Sequence, residues 1–134
     1  MKKIALIAVA TLALAACAGP ASGQTPPRTT MVMVNLENPA RPWIWIDQEP
    51  IIVRGKAVMV WQIATEGYEF PKDGIVFQTG AKQFTDCGPE GKIYRCTNTF
   101  AQMGRFKYTI KVQPAKDAKV PKTGPLDPTV VNDR

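Results

Sequence analysis

Short runs of strict two-residue alternation, broken every few residues by proline or glycine, constrain this chain more than any other feature. Ala57 to Ala64 is the clearest run: Met59, Trp61 and Ile63 alternate with Val58, Val60 and Gln62. A period of two is the signature of a strand, because successive side chains point to opposite faces. Both faces of this run are largely apolar, so it predicts a central strand. Met31 to Leu36 puts Val32, Val34 and Leu36 on one face. Trp43-Ile44-Trp45-Ile46 puts tryptophans on one face and isoleucines on the other. Ile51 to Val53, limited by Pro50, reads as an edge or a strand start. Ile75 to Phe77, Ile93 to Asn98 and Phe106 to Val112 follow, the last two as two final antiparallel strands. Asn38 to Pro42, Arg54-Gly55-Lys56 and Lys72-Asp73-Gly74 supply turns, the second of them a hairpin. No segment of useful length carries helical periodicity with a cap. About seven short strands at near-regular spacing predict an all-β fold, a small antiparallel Greek-key β-sandwich.

The two ends have a different character. Lys2 and Lys3 precede an apolar segment, Ile4 to Leu14, and the run Leu14-Ala15-Ala16-Cys17 closes it. A basic start, a short apolar middle and small residues at the cut describe a secretory signal. The segment is too short to cross a bilayer as a helix, which takes about 20 apolar residues. An ordinary signal peptidase cutting near Gly19 or Ala21 is the other reading. Leu14-Ala15-Ala16-Cys17 resembles the lipobox of bacterial lipoproteins. That resemblance implies removal of residues 1–16, a diacylglycerol thioether on Cys17 and usually an acylated amine there. In Gram-negative members, Asp after the cysteine tends to retain the protein at the inner membrane. Ala18 therefore points to a lipid anchor in the cell outer membrane, on its periplasmic side. More than one acyl chain makes such anchoring stable.

The mature chain would hold 118 residues, room for one domain. It would carry 15 basic and 11 acidic residues, a net charge of +4. No block of five like charges occurs, and nothing points to nucleic acid. Residues 17–30 are rich in Gly, Pro and Ser and read as a lipidated, flexible tether. The sandwich domain is expected over residues 31–113. From Pro114 to Arg134 the prolines and lysines increase and large apolar groups are few. That stretch predicts a disordered tail, unless a partner orders it.

Cys87 and Cys96 remain once Cys17 is assigned to lipid. An oxidising compartment favours a disulfide between them, with two free thiols as the alternative. A loop this short would stabilise by roughly 2–3 kcal/mol on the chain-entropy account. The spacing is not Cys-x-x-Cys, so no thioredoxin-like redox motif is present.

Tyr94-Arg95-Cys96 through Met103-Gly104 resembles the last loop of cupredoxins, whose fold is a Greek-key β-sandwich. Cys96 and Met103 would match two of the copper ligands. A blue-copper site also needs two histidines, and this chain contains none. Thr99 stands about where the loop histidine would be. The resemblance therefore implies the fold and not the metal, and no cofactor is expected. Trp61 on a central strand and Tyr94 two residues before Cys96 resemble the core tryptophan and tyrosine corner of immunoglobulin-like sandwiches. There the partner cysteine precedes the tryptophan, whereas Cys87 follows it.

Without histidine, the usual general base, the usual zinc ligand and the Ser-His triad are absent. Asp47 with Glu49 and Glu66 with Glu69 are the nearest carboxylate pairs, and both read as solvated loop acids. The chain is not expected to be an enzyme. Met59 reads as core filler, and Met31 and Met33 share the face opposite Val32 and Val34. Trp43 and Trp45 are the candidate contact residues: either their strand is buried on both sides or one face is a contact patch. The expected role is a binding or assembly module that docks another envelope protein. An inhibitor of a periplasmic or exogenous hydrolase, and a Met/Cys metal handler, are the alternatives.

Overall fold

The computed structural model describes residues 26–134. The signal segment 1–16, Cys17 and most of the expected tether lie outside the described residues. The strands are β1 (Arg28–Asn35), β2 (Trp43–Ile46), β3 (Ile51–Val53), β4 (Ala57–Ile63), β5 (Tyr68–Glu69), β6 (Ile75–Phe77), β7 (Phe84–Glu90), β8 (Ile93–Asn98), β9 (Gly104–Ile110), β10 (Gln113–Pro114) and β11 (Thr129–Asn132). One short 3-10 turn, Ala81–Gln83, interrupts them. The expected all-β sandwich forms. Its five-stranded sheet has the order β2-β1-β4-β8-β7, and its four-stranded sheet has the order β3-β11-β9-β6. A small β10-β5 ladder lies beside them. Among the described residues, no helix is long and apolar enough to cross a membrane.

β4 is the middle strand of its sheet, as its two apolar faces predict. Its inward residues Met59, Trp61 and Ile63 are buried, and Trp61 is fully enclosed. Trp61 lies against Phe77 and Tyr108, and Phe77 stacks on Phe84 at a centroid distance of 3.6 Å. The Trp61 indole N–H donates to the Tyr108 hydroxyl at 3.2 Å, which satisfies both polar groups inside the core. Burial of this order, at roughly 25 cal/mol per Å² of apolar area, is the main force holding the two sheets together.

Two pairs run parallel: β1 with β4, and β3 with β11. Alternation sets which face a strand buries but says nothing about the direction of its neighbour. Arg54-Gly55-Lys56 is not a hairpin turn, because β3 and β4 belong to different sheets. Likewise β8 and β9 do not pair with each other; each completes a different layer. The loop Leu36 to Pro42 does close a hairpin, between β1 and β2. Asn38 builds it, its carbonyl accepting from the Arg41 N–H and its side chain from the Ala40 N–H.

The expected boundaries need correction at both ends. Arg28, Thr29 and Thr30 belong to β1 rather than to a tether, and the Thr30 side chain is buried. The larger correction is the tail. Residues 115–128 form a strap across the domain, and β11 inserts between β3 and β9. Val120 packs on Gly67, whose φ of 83° and lack of a side chain allow the approach; a Cβ there would sit 2.7 Å from Val120 Cγ1. The Tyr68 hydroxyl donates to the Pro121 carbonyl at 2.7 Å, and Leu126 exchanges backbone bonds with Ile110. Val130 is fully buried, and Asn132 donates to Gln83 Oε1 at 2.9 Å while accepting from Asn98 Nδ2 at 2.7 Å. Low apolar content along the stretch as a whole concealed one β-branched run, Thr129-Val130-Val131, and that run is enough to fill a prepared slot.

Two outcomes follow. Deleting residues 128–134 should abolish the cooperative unfolding transition in urea, and Val130→Ala should cost about 2 kcal/mol through lost burial and the cavity left behind. A disordered tail would leave both unchanged. Burial also pushes the phenols of Tyr68, Tyr94 and above all Tyr108 upward from the ordinary tyrosine value. A folded-state pKa raised above the unfolded one gives stability that is intact below about pH 10 and lost as pH rises further. Urea midpoints should therefore fall above that pH, and Tyr108→Phe should flatten the fall while lowering stability at neutral pH by stranding the Trp61 N–H.

Candidate docking face

β2 is an edge strand of the five-stranded sheet, and its alternation resolves the question about its tryptophans. Ile44 and Ile46 are buried between the sheets. Trp43 and Trp45 point outward and remain 51% and 46% exposed. On the neighbouring strand Met33 lies opposite Trp45, and Asn35 lies opposite Trp43. Met33 is half-buried against this pair, so Trp43, Trp45 and Met33 form one apolar face. A shallow cavity of about 430 Å³ lies on one side of the tryptophans, lined by Met33, Asn35 and Thr65. A second, of about 310 Å³, runs on the other side between β2 and Leu126, Asp127 and Pro128. Indole rings left half in water, flanked by depressions on both sides, are suited to bury area against a partner.

The frame behind this face is fixed. Met31 N–H donates to Asp47 Oδ1 at 2.9 Å, and Asp47 N–H donates to the Met31 carbonyl. Both oxygens of Glu49 accept the Thr129 N–H at 3.1 Å, tying the end of β2 to β11. Thr123 Oγ1 donates to the Pro42 carbonyl at 3.2 Å, which ties the start of β2 to the strap. Asp47 and Glu49 are thus structural acceptors and are not brought together as an acid–base pair. Glu66 pairs with Lys92 at 3.0 Å, and Glu69 accepts from Gln113.

Cys87 and Cys96 are bonded, with a Cα–Cα distance of 4.2 Å across β7 and β8. A register shift between Thr85 and Gly88, with Asp86 at a φ of 53°, brings the Cys87 side chain over its neighbour. Cys96 is buried and its sulfur is bonded to Cys87, while Met103 is 48% exposed in the following loop. The residues that resemble cupredoxin ligands are therefore not assembled into a site. Among the described residues, no three His, Cys, Asp or Glu side chains cluster as metal ligands. Tyr94 does not form a short-range tyrosine corner: its hydroxyl donates to the Lys72 carbonyl, 22 residues upstream.

Sequence reasoning missed one polar cluster, that of Gln83, Asn98, Gln102 and Asn132 at one end of the sandwich. Gln83 Oε1 accepts from Asn132 and from the Gln102 N–H, and the Asn132 amide also reaches the Gln102 carbonyl. Gln83 Nε2 has no partner among the described residues. Four amide residues scattered over fifty positions carry no local pattern. Only the insertion of β11 brings them together. No family model matches this chain, and no curated protein is detectably similar to it.

Exposure of the two β2 tryptophans has a direct optical test. In the protein with Trp43→Phe and Trp45→Phe, the one indole left is Trp61, so emission should shift to the blue and resist iodide quenching. The native protein should be strongly quenched. Weak quenching of the native protein would place the β2 indoles in the interior.

Proposed function

We propose that this chain is a lipid-anchored binding and assembly module of the cell envelope. In this reading Cys17 carries the lipid at the periplasmic side of an outer membrane, and the sandwich docks another envelope protein through Trp43 and Trp45. The exposed tryptophan pair on a pinned edge strand is the observation that carries the docking half of the reading. Hydrophobic burial of two indoles is worth several kcal/mol at roughly 25 cal/mol per Å², enough to anchor a small interface. The anchoring half rests on Leu14-Ala15-Ala16-Cys17 following the apolar run. No catalytic role is proposed, since the carboxylates nearest to the face already accept backbone hydrogen bonds.

The chain's mild positive balance and its tether suit a domain held off a membrane by a few nanometres, roughly 3.3 Å per extended residue. Replacing Cys17 by alanine should move the protein from the membrane fraction to the soluble periplasm and remove the acyl mass seen by mass spectrometry of the native form. Trp43→Ala with Trp45→Ala should leave folding and membrane attachment intact but lose proteins captured by crosslinking in intact cells. Retention of the same crosslinked partners by that double variant would sink the docking half alone.

A further inference from the structure

The 310 Å³ groove beside β2 is aromatic and acidic at once. Its walls are the two exposed indoles, Trp43 and Trp45, and the C-terminal residues Leu126 and Pro128. Two acids, Glu49 and Asp127, line it as well, and no lysine or arginine does. Both acids are exposed. Neither is in an ion pair among the described residues, where Asp73, Glu66 and Asp133 are the paired acids. The sequence as a whole carries a net charge of +6, so two carboxylates without a cation in one groove run against the general balance.

Both carboxylates are held in place without being used up. The two oxygens of Glu49 share one N–H, that of Thr129. Asp127 Oδ1 accepts from the Thr109 hydroxyl at 2.6 Å and from Gln78 Nε2 at 3.2 Å. A carboxylate offers about four lone-pair sites, so each acid keeps room for a further donor. Because Glu49 is bonded to Thr129, it stands only two residues, at most about 7 Å of chain, from Asp127. A planar guanidinium carries its donors in a fixed fork that can serve both acids while its face rests on an indole. An ammonium is a compact point charge and would favour one acid or the other. The methylene stem that carries the charge fits the apolar wall of Leu126 and Pro128.

We propose that this groove receives an arginine side chain of the protein that docks on the indole face. The inference rests on the docking reading and supplies the partner's chemistry: an exposed arginine beside an apolar surface that covers Trp43 and Trp45. Tryptophan and arginine are among the side chains that most often carry binding energy at protein interfaces. This face brings the tryptophans and the counter-charge, and the partner brings the cation. Complementarity of this kind fixes register and excludes wrong partners more than it adds affinity. An acidic segment or an anionic lipid headgroup would set like charges against Glu49 and Asp127.

The test titrates the full chain, carrying Cys17→Ser so that position 17 has no thiol for lipid, with the peptide acetyl-Gly-Arg-Gly-amide. The indole N–H signals are followed by NMR. The chain has three tryptophans, and Trp61 is enclosed and bonded to Tyr108, so its signal is the internal reference. The Trp43 and Trp45 signals should move, and that of Trp61 should stay. The same peptide with lysine should bind more weakly, and with glutamine not measurably. Glu49→Gln with Asp127→Asn keeps an acceptor oxygen at each brace and should weaken the arginine peptide about fivefold, the reach of an exposed ion pair. No movement with arginine, equal binding by lysine or glutamine, or indifference to the double amide variant would overturn the proposal. So would shifts of the same two signals caused by phosphatidylglycerol vesicles in place of peptide, or by protein concentration alone, which would give the face to lipid or to a second copy. Crosslinking in intact cells separates this inference from the docking reading. If the E49Q and D127N variant keeps the partners that Trp43→Ala with Trp45→Ala loses, docking stands and the arginine falls.

Discussion

The insertion of β11 between β3 and β9 is the interaction on which the rest of the molecule depends. β3 has no other strand neighbour, so without β11 its three residues have no place in a sheet. β9 would keep β6 but expose its other edge. The chain must therefore complete almost its entire length before the second layer can close. The closure is long-range in sequence, and its entropy cost is offset only when the buried groups of both layers meet. Val130 supplies the apolar part of that closure. Asn132 supplies a polar part, bonded to Asn98 on the opposite sheet and to Gln83 on the 3-10 turn. A buried amide network of this kind favours one register, since a slip by one residue would place Val131 where Asn132 must bond.

The same insertion holds β2. Glu49 accepts from the Thr129 backbone, and Thr123 bonds Pro42, so both ends of β2 are tied to the C-terminal segment. β2 is short and lies at a sheet edge, a position that would otherwise fray. Pinned at each end and packed through Ile44 and Ile46, it presents Trp43 and Trp45 with little freedom left to lose. Preorganisation of that sort raises affinity by lowering the ordering cost on association. A strap that looks like a loose tail in composition is, in the fold, what gives the tryptophan face its stiffness.

Much of the first sheet was legible in the sequence, because its strands carry local alternation. Ala57 to Ile63 declared itself central through two apolar faces, and Ile93 to Asn98 has the predicted limits. The Trp-Ile-Trp-Ile run fixed which residues share a side but not which side faces water. Two apolar sets with equal claims to burial leave that to the neighbouring layer, and Ile44 and Ile46 fit the narrow space between the sheets. The parallel pairings and the separate layers of β8 and β9 are properties of the whole chain, not of any window within it. The tail was misread because its signal is four residues long and its surroundings are rich in proline and lysine. Those prolines specify an extended course rather than disorder. Of the candidate site, the cysteine pair followed from redox chemistry, whereas the Gln83–Asn98–Asn132 cluster has no signature short of the fold.

The chemistry left on the surface follows from what the fold has already used. Asp47, Glu49, Glu66 and Glu69 each hold a backbone or side-chain partner in place, and Cys96 is tied to Cys87. These carboxylates brace the fold, and the exposed indoles of β2 stand between two of the braced points, Pro42 and Glu49. The C-terminal segment lies along the outer edge of β2 and is bonded at Pro42 and Glu49, so Ile44 and Ile46 stay buried and the strand presents its indoles rather than its backbone.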